Sequence, residues 1–306
     1  MRWPSLVLVV ALGGCGGGRP ADLATTTPFD LARTQGRFVA VHGLHVFAIT
    51  TGGGRDVVLV HGNPASTYTW RKLIPGLAQR YRVHALDLPG FGFSDKPADA
   101  PYDAAWLADA LLGYLDAARV PRAVLVGNSM GGEVVTELAI AHPERVSALV
   151  LLGAAGLPEA EVETVPLLYR LLGWPIVGRV LRAVPSRRFT GDGLRHAVYD
   201  PATITAEDVD AYDAPLRTAG GLNAFVARLG RRTPATRAER VATIAAPALV
   251  VTGDTDRLIP PATARRYQEL IPASQLLVLE KTGHLPQEEC PERMVTEITR
   301  WMDAHP

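Results

Sequence analysis

From residue 37 onward, short apolar runs alternate with longer amphipathic stretches, and this alternation constrains the fold more than any other feature of the chain. The run Val57–Val60 is apolar at every position, which is typical of a strand covered on both faces. The stretches between such runs have the length and apolar spacing of helices. Because strands that alternate with helices of about 10–15 residues form βαβ units, the sequence predicts an α/β fold around a mostly parallel sheet.

The alternation also divides the chain into a core and an insertion. We predict eight strands, at 37–42, 45–50, 57–60, 81–86, 123–126, 148–152, 248–252 and 275–279, with helices at 66–80, 103–118, 133–141, 261–270 and 291–303. Between the sixth and seventh strands the pattern becomes mostly helical, with Pro and Gly breaks. The predicted core is therefore 37–156 together with 241–306, and the predicted helical cap is 157–240.

The amino-acid composition of the chain excludes some classes of function. The 306 residues contain 31 Lys and Arg against 31 Asp and Glu, so the net charge is zero and nothing points to a nucleic-acid partner. Two widely spaced cysteines form neither a disulfide framework nor a zinc site. We therefore expect an enzyme or binding protein for a small molecule, without a metal or cofactor, and the oligomeric state stays open.

The N-terminus has the pattern of a targeting segment. After the single positive charge of Arg2, the apolar run from Leu6 to Leu12 has the length of a signal-peptide h-region. It is shorter than the roughly 20 residues that a membrane-spanning helix needs. The Leu-Gly-Gly-Cys sequence that ends at Cys15 resembles a bacterial lipobox, which implies lipid attachment at this cysteine.

These features predict a lipoprotein-type signal peptide over 1–15 and a flexible tether over 16–36, which is rich in Gly, Thr, Pro and Ala. The mature protein would be lipid-anchored in the cell envelope, on the periplasmic or extracellular face. A simple cleaved signal, giving a secreted or periplasmic protein, is the alternative, and a disordered cytoplasmic tail is a third interpretation.

The segment Gly127-Asn128-Ser129-Met130-Gly131 matches the pattern G-x-S-x-G. The pattern alone is weak in a chain with 29 glycines, but a predicted strand precedes it and a predicted helix follows it. This strand–turn–helix setting is what a nucleophile elbow requires, because side chains at the two glycines would collide in the strained turn. The sequence therefore predicts Ser129 as a nucleophile, with the following helix directing N–H groups at developing negative charge.

A serine hydroxyl needs a general base, and the base needs an orienting carboxylate. Among eight histidines, only His284 lies in a loop after a late strand, with a final helix behind it. The loop after the seventh strand offers Asp254 and Asp256, and we select Asp256 while Asp254 remains the alternative. The order Ser129, Asp256, His284 is the one expected for a sheet with a nucleophile elbow. Each residue follows the carboxyl end of a strand, where open α/β sheets bind ligands.

The loop after the third strand reads His61-Gly62-Asn63-Pro64. The residue after the His-Gly pair can present its backbone N–H to an oxyanion, so we predict Asn63 and Met130 as the two donors of an oxyanion hole. One such donor is worth about 3 kcal/mol of transition-state stabilisation. We interpret His61 as a structural residue that holds this loop through hydrogen bonds.

With these motifs assembled, residues 37–306 resemble the α/β-hydrolase superfamily, in particular the group with a helical cap after the sixth strand. The segments 61–64 and 87–97 are similar to segments of epoxide hydrolases and haloalkane dehalogenases. Those families use an aspartate nucleophile, and Ser129 at this position argues against both activities. The segment 127–132 is similar to the elbow of meta-cleavage-product hydrolases and of esterases. The resemblance therefore implies the fold and a Ser-His-Asp triad but not a substrate.

The predicted reaction is hydrolysis of a carboxylic ester of a small to medium, partly apolar substrate through an acyl-enzyme on Ser129. The alternative is a carbon–carbon bond hydrolase of the meta-cleavage (dienone) type, which a cap arginine directed into the pocket would favour. A binding protein that has lost turnover is a third hypothesis, and the complete set of predicted catalytic groups argues against it.

The predicted cap contributes apolar side chains, some of which we expect to line the pocket, and arginines that either face solvent or bind a substrate carboxylate. The apolar residues are Leu167, Leu168, Leu171, Leu172, Trp174, Phe189, Tyr199, Tyr212 and Phe225. The arginines are Arg179, Arg182, Arg187, Arg188 and Arg195.

Overall fold

The computed structural model describes residues 36–157, 186–230 and 237–305. The predicted signal peptide, its Cys15 and all but the last residue of the predicted tether therefore lie outside the described residues. The same is true of the cap residues Leu167, Leu168, Leu171, Leu172, Trp174, Arg179 and Arg182.

A single eight-stranded sheet, in the order β1-β2-β4-β3-β5-β6-β7-β8, organises the described residues. Its strands are β1 (Arg37–Val41), β2 (Leu44–Gly52), β3 (Asp56–Val60), β4 (Arg82–Leu86), β5 (Ala123–Asn128), β6 (Val146–Leu152), β7 (Ala248–Gly253) and β8 (Ser274–Leu279). The β1–β2 and β2–β4 pairs are antiparallel, and all pairs from β4 to β8 are parallel. The predicted mostly parallel sheet of eight strands is confirmed, and each strand end agrees within two residues.

Helices flank this sheet. In the core they are α1 (Ile74–Leu77), α2 (Ala104–Ala117), α3 (Met130–Ala141), α8 (Pro261–Leu270), α9 (Pro286–Glu289) and α10 (Pro291–Ala304). In the predicted cap they are α4 (Ser186–Ala197), α5 (Ala206–Arg217) and α6 (Gly221–Leu229), and α7 (Arg237–Val241) spans the predicted boundary between cap and core. Three-residue or four-residue 3₁₀ helices lie at Thr67–Trp70, Pro143–Arg145 and Pro201–Thr203.

The predicted continuous helix over 66–80 is wrong. The structure divides it into the 3₁₀ helix Thr67–Trp70 and the short α1. The Ser66 hydroxyl caps the first piece by accepting the N–H of Tyr68. Pro75 stands in the first turn of α1, and because proline lacks an N–H and fits that turn, it starts a new helix rather than continuing one.

Both faces of the sheet are covered by apolar layers. In β3, Val58 faces the layer that includes Leu107 of α2, whereas its neighbour Val57 faces a second layer that includes Ile298 of α10. All four side chains are completely buried. This double burial explains why the parallel strands are apolar at consecutive positions. Since both faces of the sheet are covered, the loops at the carboxyl ends of the strands are where functional groups can lie.

The described part of the predicted cap is helical and lies over the loops that follow the strands. α5 begins at a capping box in which the Thr205 hydroxyl accepts the Asp208 N–H and the Asp208 carboxylate accepts the Thr205 N–H. Tyr212 of α5 packs edge-to-face on Tyr68 of the core, with ring centroids 5.9 Å apart. The limits 157 and 240 stay predictions. No helix in the described ranges is long and apolar enough to cross a bilayer.

Most of the predicted cap residues that the structure describes lie in small apolar clusters or at the surface. Phe225 and Tyr212 are buried in small apolar clusters, Phe189 is partly buried and Tyr199 is exposed. Arg187, Arg188 and Arg195 are exposed, and Arg187 forms an ion pair with Asp210 on the neighbouring helix.

Candidate active site

Ser129 occupies the sharp turn between β5 and α3, with φ of 54° and ψ of −119°. A positive φ is costly for a residue with a side chain, so this conformation holds the hydroxyl in one direction at the end of the sheet. A Cβ on Gly131 would lie 2.0 Å from the Val60 carbonyl oxygen, and a Cβ on Gly127 would lie 2.4 Å from the Gly131 oxygen. The predicted steric need for both glycines is confirmed.

Main-chain hydrogen bonds fasten the turn to the neighbouring strand end. The Ser129 N–H donates to the Leu152 carbonyl at 3.0 Å, and the Ala155 N–H donates to the Ser129 carbonyl at 3.0 Å. Met130 is the first residue of α3, so its N–H has no acceptor within the helix and lies at the positive end of the helix dipole. The turn is therefore rigid, and it exposes a free donor next to the serine.

His284 and Asp256 meet at the same edge of the sheet. His284 Nδ1 lies 2.8 Å from Asp256 Oδ2, and both residues are buried. The other oxygen of Asp256 accepts the N–H groups of Leu258 at 2.9 Å and Ile259 at 2.8 Å. Because these N–H groups and His284 all face the same carboxylate, Nδ1 is the ring nitrogen that binds Asp256, and Nε2 is the one left to accept a proton from a nucleophile.

The choice between the two acids of this loop follows from their contacts. Asp254 is exposed and accepts a long hydrogen bond, 3.3 Å, from the Thr282 N–H. Gly153, at the end of β6, lies directly against the His–Asp pair: a Cβ there would be 3.0 Å from both Asp256 Oδ2 and His284 Nδ1. The structure thus pairs His284 with Asp256, and the catalytic role of this pair stays a prediction.

The loop after β3 runs beside the serine. A Cβ on Gly62 would lie 3.0 Å from the Ser129 Cβ, so the main chain of this loop passes the nucleophile at contact distance. Asn63 follows and is partly buried, and its side-chain Oδ1 is buried without a hydrogen-bond partner among the described residues. Asn63 thus follows a glycine that lies beside Ser129, and Met130 follows the serine in the chain; their role as oxyanion donors stays a prediction.

His61 is a structural residue. Its Nδ1 donates to the Gly62 carbonyl at 2.8 Å, and its Nε2 accepts the Leu88 N–H at 3.1 Å. The ring is completely buried, and desolvation lowers its pKa from 6.5 to about 4, so it is neutral near pH 7. A neutral ring with both nitrogens engaged supports the loop and leaves no atom free for catalysis.

Within the described residues, no group of three His, Cys, Asp or Glu side chains is placed to hold a metal ion. What the edge of the sheet brings together is a strained serine, the main chain of the loop after β3 beside it, and a histidine in contact with a buried carboxylate. Such a set can carry out acyl transfer.

Comparison with known proteins agrees with this geometry. Residues 57–291 match the family model for the α/β hydrolase fold. The chain belongs to the α/β-hydrolase family. It is 32% identical to the 2-hydroxymuconate semialdehyde hydrolase of Pseudomonas sp. (strain CF600), over 86% of this chain and 92% of that protein. It is 30% identical to the pimeloyl-[acyl-carrier protein] methyl ester esterase of Aeromonas hydrophila, over 82% of this chain and 96% of that one.

Among solved structures, the chain is similar to a meta-cleavage product hydrolase from Pseudomonas fluorescens IP01. The TM-score is 0.75 at 27% sequence identity, covering 89% of this chain and 98% of that one. The resemblance inferred from the motifs is confirmed, and the chain is a hydrolase of the α/β type.

Sequence reasoning missed a polar network that ties the serine turn of this hydrolase to the histidine loop. The Asn128 amide donates to the carbonyls of Leu152 at 3.0 Å and His284 at 3.2 Å. Its oxygen accepts the Gln287 amide at 3.2 Å, and Gln287 also donates to the Thr69 hydroxyl at 3.1 Å. The one available signal was the run of polar residues 287–289 between His284 and the last helix.

A second missed feature is a set of ion pairs between core and cap, here called the seam and defined by Arg71, Glu133, Asp208, Arg228 and Glu288. Arg71 lies 2.5 Å from the carboxylates of both Asp208 in α5 and Glu288 in α9. On the other side of the cap, Arg228 of α6 pairs with Glu133 of α3, and both are buried. Because the seam residues are far apart in sequence, no local sequence pattern predicts these ion pairs.

Proposed function

We propose that this hydrolase is a serine esterase that cleaves a carboxylic ester of a small to medium, partly apolar substrate. The observation that carries the proposal is the 2.8 Å contact between His284 Nδ1 and Asp256 Oδ2, at the edge of the sheet where Ser129 is held in its strained turn. The 30% identity to a methyl ester esterase supports ester hydrolysis.

In the proposed mechanism, His284 Nε2 takes the hydroxyl proton while Ser129 Oγ attacks the ester carbonyl. The oxyanion accepts hydrogen bonds from the N–H groups of Asn63 and Met130. His284 then gives its proton to the leaving alcohol, which leaves an acyl-enzyme on Ser129. Water that transfers a proton to His284 attacks this ester and releases the acid, while Asp256 stays ionised and stabilises the imidazolium.

A carbon–carbon bond hydrolase is the second candidate, because one relative is a 2-hydroxymuconate semialdehyde hydrolase at 32% identity. This activity would require a cation for the carboxylate of a dienone-type substrate. Several arginines in the described part of the cap are engaged by carboxylates, among them Arg187 by Asp210 and Arg228 by Glu133. Ester hydrolysis needs no such cation, and we therefore favour it.

The test is turnover of p-nitrophenyl esters, from acetate to long-chain acyl groups, by the full chain in detergent and by Ser129→Ala. We expect the substitution to lower kcat by about 10⁴-fold or more, with an unchanged melting temperature, since only the reacting oxygen is removed. The acyl length of highest turnover measures the size of the pocket. Turnover that survives in folded Ser129→Ala would sink the proposal. A folded wild type that cleaves dienone acids but no ester would support the second candidate.

The lipid anchor at Cys15 and the cell-envelope location remain part of the proposal, because the residues concerned lie outside the described ranges. We expect the chain made in a bacterial host to partition into a detergent phase, and Cys15→Ser to stay in the aqueous phase. Equal partitioning of the two would contradict the anchor.

A further inference from the structure

The loop that carries His284 lies directly against the cap. The His284 N–H donates to the carbonyl of Ala197, the last residue of α4, at 2.7 Å. A Cβ on the preceding Gly283 would lie 2.4 Å from the same carbonyl oxygen and 2.8 Å from the Cα of Val198. The main chain of the histidine loop therefore touches the cap with no intervening side chain, so a shift of either element would displace the other.

One carboxylate binds both elements at this contact. Glu289 accepts the N–H of Gly283 at 3.0 Å with each oxygen and the N–H of Leu285 at 3.3 Å. These two residues flank His284 in the sequence. The same carboxylate accepts the N–H of Tyr199, just beyond α4 in the cap, at 2.7 Å. Three main-chain donors from two parts of the chain thus converge on a single, half-buried side chain.

These bonds are not needed to form the short helix in which Glu289 lies. The main-chain N–H groups of Glu288 and Glu289 donate to the Leu285 carbonyl at 2.8 and 3.0 Å, and these bonds form the turn of α9. The Glu289 side chain instead turns back to the N–H groups on both sides of His284. Asp256 orients the imidazole ring, whereas Glu289 holds the backbone from which the ring projects.

We propose that Glu289 is a positioning residue for the catalytic base: it fixes the main chain around His284 against the cap so that Nε2 stays directed at Ser129. The inference rests on the proposed function, because it assigns His284 the role of base. Glu289 does not touch the reacting atoms and acts only through the histidine loop.

Removing this carboxylate leaves the Gly283, Leu285 and Tyr199 N–H groups without their acceptor, so the loop and the end of α4 can separate. A displacement of a catalytic group by about 1 Å can lower the rate about 10²-fold, while substrate binding elsewhere in the pocket is unaffected. The effect should therefore appear in kcat rather than in KM.

The experiment compares the full chain with Glu289→Ala, Glu289→Gln and the control Glu280→Ala, whose side chain is exposed on the same loop. Each protein is assayed for ester turnover and for the rate at which a fluorophosphonate labels Ser129. We expect Glu289→Ala to lower kcat and the labelling rate by about 10- to 100-fold, with KM within about threefold. Glu289→Gln should recover part of the rate, because its amide oxygen can still accept the Gly283 and Leu285 N–H groups. Glu280→Ala should match the wild type.

A wild-type kcat and labelling rate in Glu289→Ala would overturn the inference, as would a loss that appears only in KM. If Glu289→Ala fails to fold, Glu289→Gln decides: a kcat reduced at least about threefold with a wild-type KM supports the inference, and a wild-type kcat overturns it. Failure of the proposed function is distinguishable, because in that case the folded wild type itself neither hydrolyses esters nor reacts with the fluorophosphonate.

Discussion

The core and the cap enclose the same site, but different interactions hold their polar groups. In the core, some buried polar side chains are bound by the backbone: His61 lies between a carbonyl and an N–H, and Asp87 accepts the N–H groups of Thr67 and Phe93. Where the cap meets the core, charged side chains bind each other across the seam, as Arg228 and Glu133 do.

The difference determines what a substitution does in each region. A group bound by the backbone depends on main-chain geometry, so it tolerates changes in side chains that do not themselves hold that main chain. A buried ion pair depends on its partner, and removal of one member leaves an uncompensated charge, whereas replacing both by apolar residues is often neutral. The cap can therefore change in sequence with less effect on the chemistry than the core.

We expect the largest loss of kcat from a substitution in the core, at Asp256. Asp256→Asn keeps the size of the side chain, but the amide cannot hold His284 in the required tautomer, and kcat should fall about 10⁴-fold. The matched control is Asp254→Asn, two residues away and exposed, which should retain wild-type kcat. Ester turnover and thermal melting of both variants check this prediction. Equal losses in the two variants would contradict the pairing of His284 with Asp256.

The core of the site was predictable from sequence because its determinants are local. The turn at Ser129 needs glycines within two residues, and a strand of six residues leads directly into it. Parallel strands that are buried on both faces are recognisable from their own composition. The identity of the paired acid was also predicted, although only geometry distinguishes Asp256 from Asp254.

The rest of the site was not predictable, because it depends on contacts between distant residues. Glu133 and Arg228 are 95 positions apart. Glu289 stands five residues after His284, yet its role follows from the cap residue Tyr199. The predicted helix over 66–80 failed for a related reason: apolar spacing gives the face of a helix but not the point where Pro75 interrupts it.

A smaller effect is expected at the seam. Arg228→Met removes the partner of buried Glu133 and should lower the free energy of unfolding by about 3–5 kcal/mol. The double variant Arg228→Met/Glu133→Leu removes both charges and should recover most of this loss. Urea unfolding of the wild type, both single variants and the double variant measures the coupling. A double variant as unstable as Arg228→Met would show that the cap needs the charges themselves.

The smallest effect concerns His61 and tests whether this backbone-bound histidine stays neutral in the core. The unfolded chain protonates His61 near pH 6.5, whereas the folded chain does so only near a pKa of about 4, so falling pH favours the unfolded state between these values. This contribution to stability is complete above pH 6.5 and is lost as the pH falls to about 4. His61→Gln keeps a donor and an acceptor but cannot titrate.

The quantity to measure is the difference in unfolding free energy between the wild type and His61→Gln at pH 7.5 and at pH 5. We expect the wild type to lose about 2 kcal/mol relative to the variant over this interval. Taking the difference cancels the opposite contribution of Asp87, whose pKa burial raises to about 6. If the difference in unfolding free energy between the wild type and His61→Gln is the same at pH 7.5 and pH 5, His61 is protonated in the folded core at pH 5. His61 would then carry a buried charge, as the seam residues do, and the contrast between this backbone-bound group and the seam would fail.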